Sequence, residues 1–302
     1  MTLHSADQDE NAVKAAFEDV YTRSTPHAYL KAMQESEYSI SEAARPYFAA
    51  ALELVAARGG PVQMLDIGCS YGIAAALLKF GCSFAELSTY FAGRAPAEFG
   101  ACVESTRAWL RATRPPRPEL RVVGLDVSGP ALRFARETGM IDGAIQGDFE
   151  DDSVLPSDED RGWLRGCNLM VSSGAIGYVR ETTFAKLLPE LGRQQAGSFG
   201  PLGVFSILRM FDTDSIRAAF EARGWRFEQV PGVSLPQRRF VDDAEREGIL
   251  ALLQERGLDP AGLESRGSLY ANLFVSAPEA GFDELAATLR RTAAEQGAGP
   301  SA

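Results

Sequence analysis

The chain has 302 residues, is 45% hydrophobic and 24% charged, and carries a formal net charge of −11. This length allows one large domain or two small ones. Diffuse negative charge opposes nucleic-acid backbones and anionic membranes, so a small-molecule or carrier-bound substrate is expected and a nucleic-acid or membrane partner is not. The four cysteines form no C-x-x-C pair and there are only two histidines, which argues against a metal centre or a disulfide framework. The polar stretch Met1–Asn11 lacks the apolar core of a secretory signal, and no run approaches the length of a membrane span; a cytoplasmic protein is expected.

In chain order, the pattern predicts a helix over 12–20 and a loop over 21–24. A second helix follows from Pro26, with Thr25 as its N-cap. A third runs over 41–57 and ends at Gly59-Gly60. A first strand, Val62–Ile67, feeds a helix that ends near Phe80-Gly81. Residues 82–119 form an aromatic and small-residue region with one helix around 103–113. It closes in the rigid connector Arg114-Pro115-Pro116-Arg117-Pro118. Strands are predicted at 121–125, 143–146, 168–172, 203–208, 226–230 and 269–276. Helices are predicted at 130–138, 182–191, 213–222 and 242–254, with an amphipathic helix from Phe282. The stretch 151–160 reads as a solvated acidic loop. Alternation of this kind predicts a doubly wound, mostly parallel sheet covered on both faces. Such sheets bind ligands beyond the carboxyl ends of their strands.

Four strand ends carry polar or small residues: Asp66 to Gly72, Asp126, Asp148, and Ser172 to Gly174. The turn Gly68-Cys69-Ser70-Tyr71-Gly72 lets a backbone approach a ligand closely. It also spells the G-x-S-x-G of a hydrolase nucleophile elbow. A nucleophilic serine needs a histidine base, which in the hydrolase fold follows it in the chain. Here His4 and His27 both precede Ser70, so the hydrolase reading fails. Ser70 also stands where many dinucleotide folds keep a glycine, which disfavours a G-x-G-x-x-G dehydrogenase. An acid at the end of the second strand, Asp126, suits ribose hydroxyls. Asp148 suits an exocyclic amine, with the Phe149 ring over one face of a base.

The run Leu65-Asp66-Ile67-Gly68-Cys69-Ser70-Tyr71-Gly72 resembles motif I of the class I S-adenosylmethionine (SAM)-dependent methyltransferases. Gly124-Leu125-Asp126-Val127-Ser128 resembles their ribose motif, and Gly147-Asp148-Phe149 their adenine motif. Ser172 to Tyr178 lies where the family's fourth strand faces the cofactor's methyl group. The resemblance spans about residues 60–276. It implies a Rossmann-like α/β fold with a seven-stranded sheet and SAM as cofactor. It implies that Asp66, Gly68, Ser70 and Gly72 line the methionine part, with Ser172 and Ser173 beside them. Asp126 would hold the ribose, and Asp148 with Phe149 the adenine. It also implies a division into an N-terminal helical lid over 1–60, a SAM-binding domain over 61–280 and a C-terminal helix and disordered tail over 281–302. The helical insertion at 82–119, after the first βα unit, is expected to build a cap or a homodimer contact.

For chemistry, Tyr178 is the best-placed aromatic beyond the fourth strand, and His27 is the candidate acceptor base. Tyr29 and Tyr38 are expected to close over the cofactor, and Ser206 to meet a polar acceptor or the cofactor's amino-acid end. Gln237-Arg238-Arg239-Phe240 is a candidate holder of a carboxylate or phosphate, with solvated surface as the expected role. No N-P-P-Y follows the fourth strand, so a small-molecule acceptor, as in secondary metabolism, is expected. Two alternatives stay open. One is cyclisation of SAM itself to azetidine-2-carboxylate and methylthioadenosine. The other is a non-catalytic SAM-binding scaffold.

Overall fold

The computed structural model describes residues 18–95, 98–191 and 200–297. Seven strands form one sheet in the order β3-β2-β1-β4-β5-β7-β6. These are β1 (Val62–Ile67), β2 (Leu120–Asp126), β3 (Gly143–Gln146), β4 (Leu169–Ile176), β5 (Leu202–Leu208), β6 (Trp225–Arg239) and β7 (Ser268–Pro278). The first five run parallel, while β7 pairs antiparallel with both β5 and β6. The chain thus has the α/β, Rossmann-like, mostly parallel sheet that the alternation predicted. Strand order reverses between β1 and β4, and the crevice beyond their carboxyl ends is the usual ligand position in such sheets.

The central strands are apolar on both faces because helices cover both. Every residue of β5 is buried, as are all but one of β1, as parallel strands between helical layers require. One hydrophobic core joins the sheet to α3 (Ile40–Ala57) and α12 (Glu279–Gly297). A second core lies over the carboxyl end of β1. It joins α2 (His27–Glu35), α4 (Ile73–Lys79), α5 (Phe84–Ala92), α6 (Phe99–Thr113) and α7 (Gly129–Thr138) through Leu30, Leu77, Phe91, Val103 and Phe134. The inserted helices therefore pack on α2, α4 and α7 rather than on the sheet.

Several local expectations need correction. Residues 12–17 of the first predicted helix lie outside the described residues; the described part is α1 (Glu18–Tyr21). Helix α2 is capped at Pro26, while the Thr25 hydroxyl bonds the His27 ring at 3.2 Å instead of a helical N–H. The insertion holds two helices, not one, because Ser83 and Glu86 form a capping box that starts α5. The acidic loop likewise ends in an unforeseen helix, α8 (Asp158–Gly166), opened by the capping box Ser157–Asp160. Strand β4 extends past Ser172 through a register shift between Ser173 and Ile176. Strand β6 is three times its expected length, with shifts between Gln229 and Ser234 and between Pro236 and Arg238. The remaining helices are α9 (Glu181–Leu187), α10 (Asp214–Glu221) and α11 (Asp243–Glu255). Residues 298–302, the tail expected to be disordered, are outside the described set.

Candidate cofactor site

The insertion does not separate the two acids of motif I and the second strand. Parallel pairing sets Asp66 beside Gly124 and Ile67 beside Leu125, so Asp126 emerges next to the turn that follows β1. The Ser70 N–H donates to Asp126 Oδ2 at 2.8 Å, and the Ser128 N–H to Oδ1 at 2.8 Å. One carboxylate thus holds both the glycine turn and the entrance to α7. The turn is tightly built. Ser70 has φ of 48°, left-handed for a residue with a Cβ. A Cβ at Gly68 would overlap that of Ala175 from β4, so the ends of β1 and β4 touch at this glycine.

Buried polar atoms converge around the same crevice. Asp66 is 1% exposed, and its Oδ2 has no hydrogen-bond partner among the described residues; nor does Ser70 Oγ. Burial, and secondarily the charge of Asp126, push the Asp66 carboxyl up to about 7.

Residues 20–23 are strapped across this site. The Tyr71 hydroxyl donates to the carbonyls of Val20 (3.0 Å) and Arg23 (2.7 Å), and Ser128 Oγ donates to the Tyr21 carbonyl at 2.6 Å. Tyr21, Tyr29 and Tyr71 follow one another with ring centroids 5.3 Å apart at each step. The Tyr38 hydroxyl lies 2.9 Å from Ser41 Oγ, which in turn donates to Ser173 Oγ at 3.4 Å. Burial raises the phenol pKa of Tyr21, Tyr29 and Tyr38. The neighbours that add to the rise for Tyr21 are Tyr38, Tyr178 and Asp126, and Asp66 adds to it for Tyr38. The phenols of Tyr21, Tyr29 and Tyr38 therefore hold their protons at neutral pH. Through Ser41, Tyr38 thus reaches Ser173 at the end of β4, and Tyr29 packs on Tyr71 of the glycine turn.

Other predicted residues sit elsewhere. Ser172 donates to the Ile67 carbonyl at 2.9 Å and Ser206 to the Ser172 carbonyl at 3.2 Å; both are 0% exposed. They stitch β1, β4 and β5 together inside the sheet, and Ser206 has no surface with which to meet an acceptor. Asp148 is exposed, and its Oδ1 accepts the Glu150 N–H at 3.1 Å. The Phe149 ring is turned into the main core and is 2% exposed, which does not match a ring laid open over a base. The contacts of His27 are Thr25 and the ring of Phe91, edge-on at 5.1 Å, and burial lowers its pKa. Its ring contact is with Phe91 of the second core. Tyr178 packs edge-on against Phe211 at 5.5 Å.

Sequence reasoning did not single out Tyr21 or Tyr71, and it offered Gln237 and Arg238 as ligand-holding residues only as the second reading. Gln237 and Arg238, expected at the surface, are buried. Arg238 pairs with Glu245 at 2.5 Å. The long β6 carries them over the end of β4, with the Gln237 Nε2 2.7 Å from where a Gly174 side chain would begin. The alternation Val233, Leu235, Gln237 was the signal that the strand continues. Among the described residues no group of three or more His, Cys, Asp or Glu is placed to hold a metal ion, and no helix is long and apolar enough to cross a membrane.

No protein-family model matches the chain, and no curated protein matches it. Solved structures do. A TehB-like SAM-dependent methyltransferase from Corynebacterium glutamicum is 15% identical over 74% of this chain and 86% of its own, with a TM-score of 0.32. The plantazolicin methyltransferase BamL, solved with S-adenosylhomocysteine, is 12% identical over 89% and 96%, with a TM-score of 0.42. Geranyl diphosphate C-methyltransferase from Streptomyces coelicolor is 13% identical over 76% and 78%, with a TM-score of 0.35. The strand order and the turn at its switch point are those of a Rossmann-like α/β fold with a mostly parallel seven-stranded sheet.

Proposed function

We propose that the protein is a SAM-dependent methyltransferase acting on a small-molecule acceptor of the kind found in secondary metabolism. The observation that carries this reading is the Asp126 carboxylate, which ties the Gly68–Gly72 turn to α7 at the switch point between β1 and β4. The residues present fit the cofactor. A carboxylate accepts about four hydrogen bonds, so Asp126 has the capacity to serve ribose hydroxyls beside the two backbone N–H groups. The unpartnered atoms of Asp66 and Ser70 suit the donors of the methionine end. The cofactor supplies an electrophilic methyl group on a sulfonium, a cation that aromatic faces and carbonyl oxygens attract.

In this reading the chain's own task is positioning. Tyr21, Tyr29 and Tyr38, on the segment ahead of β1, act as a lid that excludes water. Tyr178 orients the acceptor beyond β4. Residues 61–280 form the cofactor domain, with 82–119 as a cap that supports the lid.

Incubation with SAM, followed by mass spectrometry, tests the assignment. S-Adenosylhomocysteine that accumulates only when an acceptor mixture is added is the expected product. Methylthioadenosine formed without any acceptor identifies intramolecular cyclisation instead. Cofactor binding with neither product identifies a scaffold. Failure to bind SAM or S-adenosylhomocysteine in calorimetry removes the assignment altogether.

A further inference from the structure

Three carbonyls at and just beyond the end of α1 are satisfied by two side chains from far along the chain. Helix α1 has four residues, too few to be stable alone, and a helix leaves its last carbonyls without partners of its own. Those of Val20 and Arg23 accept from the Tyr71 hydroxyl at 3.0 and 2.7 Å, and that of Tyr21 accepts from Ser128 Oγ at 2.6 Å.

The two donors come from different strand ends. Tyr71 belongs to the turn after β1 and is buried. Left-handed residues flank it on both sides, Ser70 with φ of 48° and Gly72 with φ of 76°, and they fix its course. Ser128 follows β2, and its Oγ also caps α7 by accepting the Ala131 N–H at 3.3 Å. Residues 20–23 therefore bridge the turn after β1 and the turn after β2. Asp126 stands at the junction of those two turns. It accepts from the N–H of Ser70, the neighbour of Tyr71, and from the N–H of Ser128 itself. One hydrogen-bonded circuit thus joins the carboxylate to the bridging segment. A ligand that donates hydroxyls to the carboxylate steadies both of the residues that hold the segment.

We infer that Tyr71 and Ser128 are positioning residues that fasten residues 20–23 over a ribose subsite at Asp126 and slow the escape of the adenosyl cofactor. The inference rests on the cofactor assignment above. It adds that the ribose, and not the amino-acid end, is the part of the ligand that tightens the segment.

Electron paramagnetic resonance of a nitroxide on Ser24→Cys reads the segment directly, since Ser24 is exposed beside it and the four native cysteines are buried. Saturating S-adenosylhomocysteine is expected to slow the label. 5′-Methylthioadenosine, which keeps the ribose without the amino-acid end, is expected to slow it equally. In Tyr71→Phe and in Ser128→Ala neither ligand is expected to slow the label even at saturation, whereas Ser128→Thr, which keeps the hydroxyl, behaves as the wild type. In surface plasmon resonance, S-adenosylhomocysteine is expected to leave Y71F and S128A about tenfold faster than the wild type, with an association rate no lower. A label that S-adenosylhomocysteine leaves unchanged, or that methylthioadenosine fails to slow, overturns the inference. So does full slowing at saturation in Y71F and S128A, an unchanged dissociation rate, or a fall in association rate. Wild-type protein that binds neither ligand overturns the cofactor assignment itself, an outcome separate from any variant effect.

Discussion

Asp66 has the most consequential environment of any single residue. It is held protonated by burial and by Asp126, with its pKa near 7 in the folded chain and an ordinary carboxylate value when unfolded. Because the folded state binds the extra proton, stability contributed at this position falls as pH rises from about 4 to about 7, and the penalty is complete above that. Asp66→Asn removes the titration. Relative to wild type, the ligand-free variant is expected to gain stability between pH 5 and pH 8, by an amount on the order of a few kcal/mol. Chemical denaturation at the two pH values reads this directly; an equal difference at both would show that Asp66 does not titrate there. That Asp126 meets the turn after β1 was legible in the sequence, because parallel strands that end together bring their carboxyl-end residues side by side. The inward turn of Phe149 and the use of Ser206 as a stitch were not, since a residue's type does not say which side of a strand or loop it takes.

At the scale of elements, the segment 20–23 is attached by the Tyr71 hydroxyl of the Gly68–Gly72 turn and by the Ser128 hydroxyl at the start of α7. Tyr71→Phe deletes both of its bonds while keeping the buried ring. Loss of such bonds at a buried site costs about 1–3 kcal/mol. Trypsin is expected to cut after the exposed Arg23 faster in Y71F than in wild type, with S-adenosylhomocysteine protecting the wild type more than the variant. Equal cutting rates would mean that the strap is held by other contacts. Periodicity located all seven strands, yet α5 and α8 went unseen. Both are nine residues long, too short for a secure periodic signal, and each announces itself only by a capping box, Ser83 with Glu86 and Ser157 with Asp160. The far half of β6 was hidden by Gly232 and Pro236, which read as breaks in a sequence but fall at irregularities that the strand absorbs.

Across the whole molecule, two cores divide the labour. One stabilises the sheet, and the other binds the insertion to α2 and thereby to Tyr29. Phe91, 3% exposed, is a keystone of the second, touching His27, Tyr90 and Phe134. Phe91→Ala is expected to cost about 3–5 kcal/mol. It is also expected to weaken S-adenosylhomocysteine binding, although Phe91 lies outside the strand-end cluster. Urea denaturation and calorimetry on the same variant separate the two effects, and destabilisation at constant affinity would reduce the insertion to a purely structural part. Fold class was legible because alternation of strands and helices is a global pattern. The packing of an insertion on a distant helix is not written in any local stretch.

The antiparallel β7 lies between β5 and β6 although it is the last strand made. The order of synthesis and the order of assembly therefore conflict. Until residues 268–278 leave the ribosome, β6 has no neighbour in the sheet, and Gln237 has no register to hold it over β4. The glycine turn and its two acids are complete long before that moment, since β1, β2 and β4 pair without help from the carboxyl terminus. A polypeptide that stops before Ser268 thus leaves β6 without the strand that joins it to the sheet.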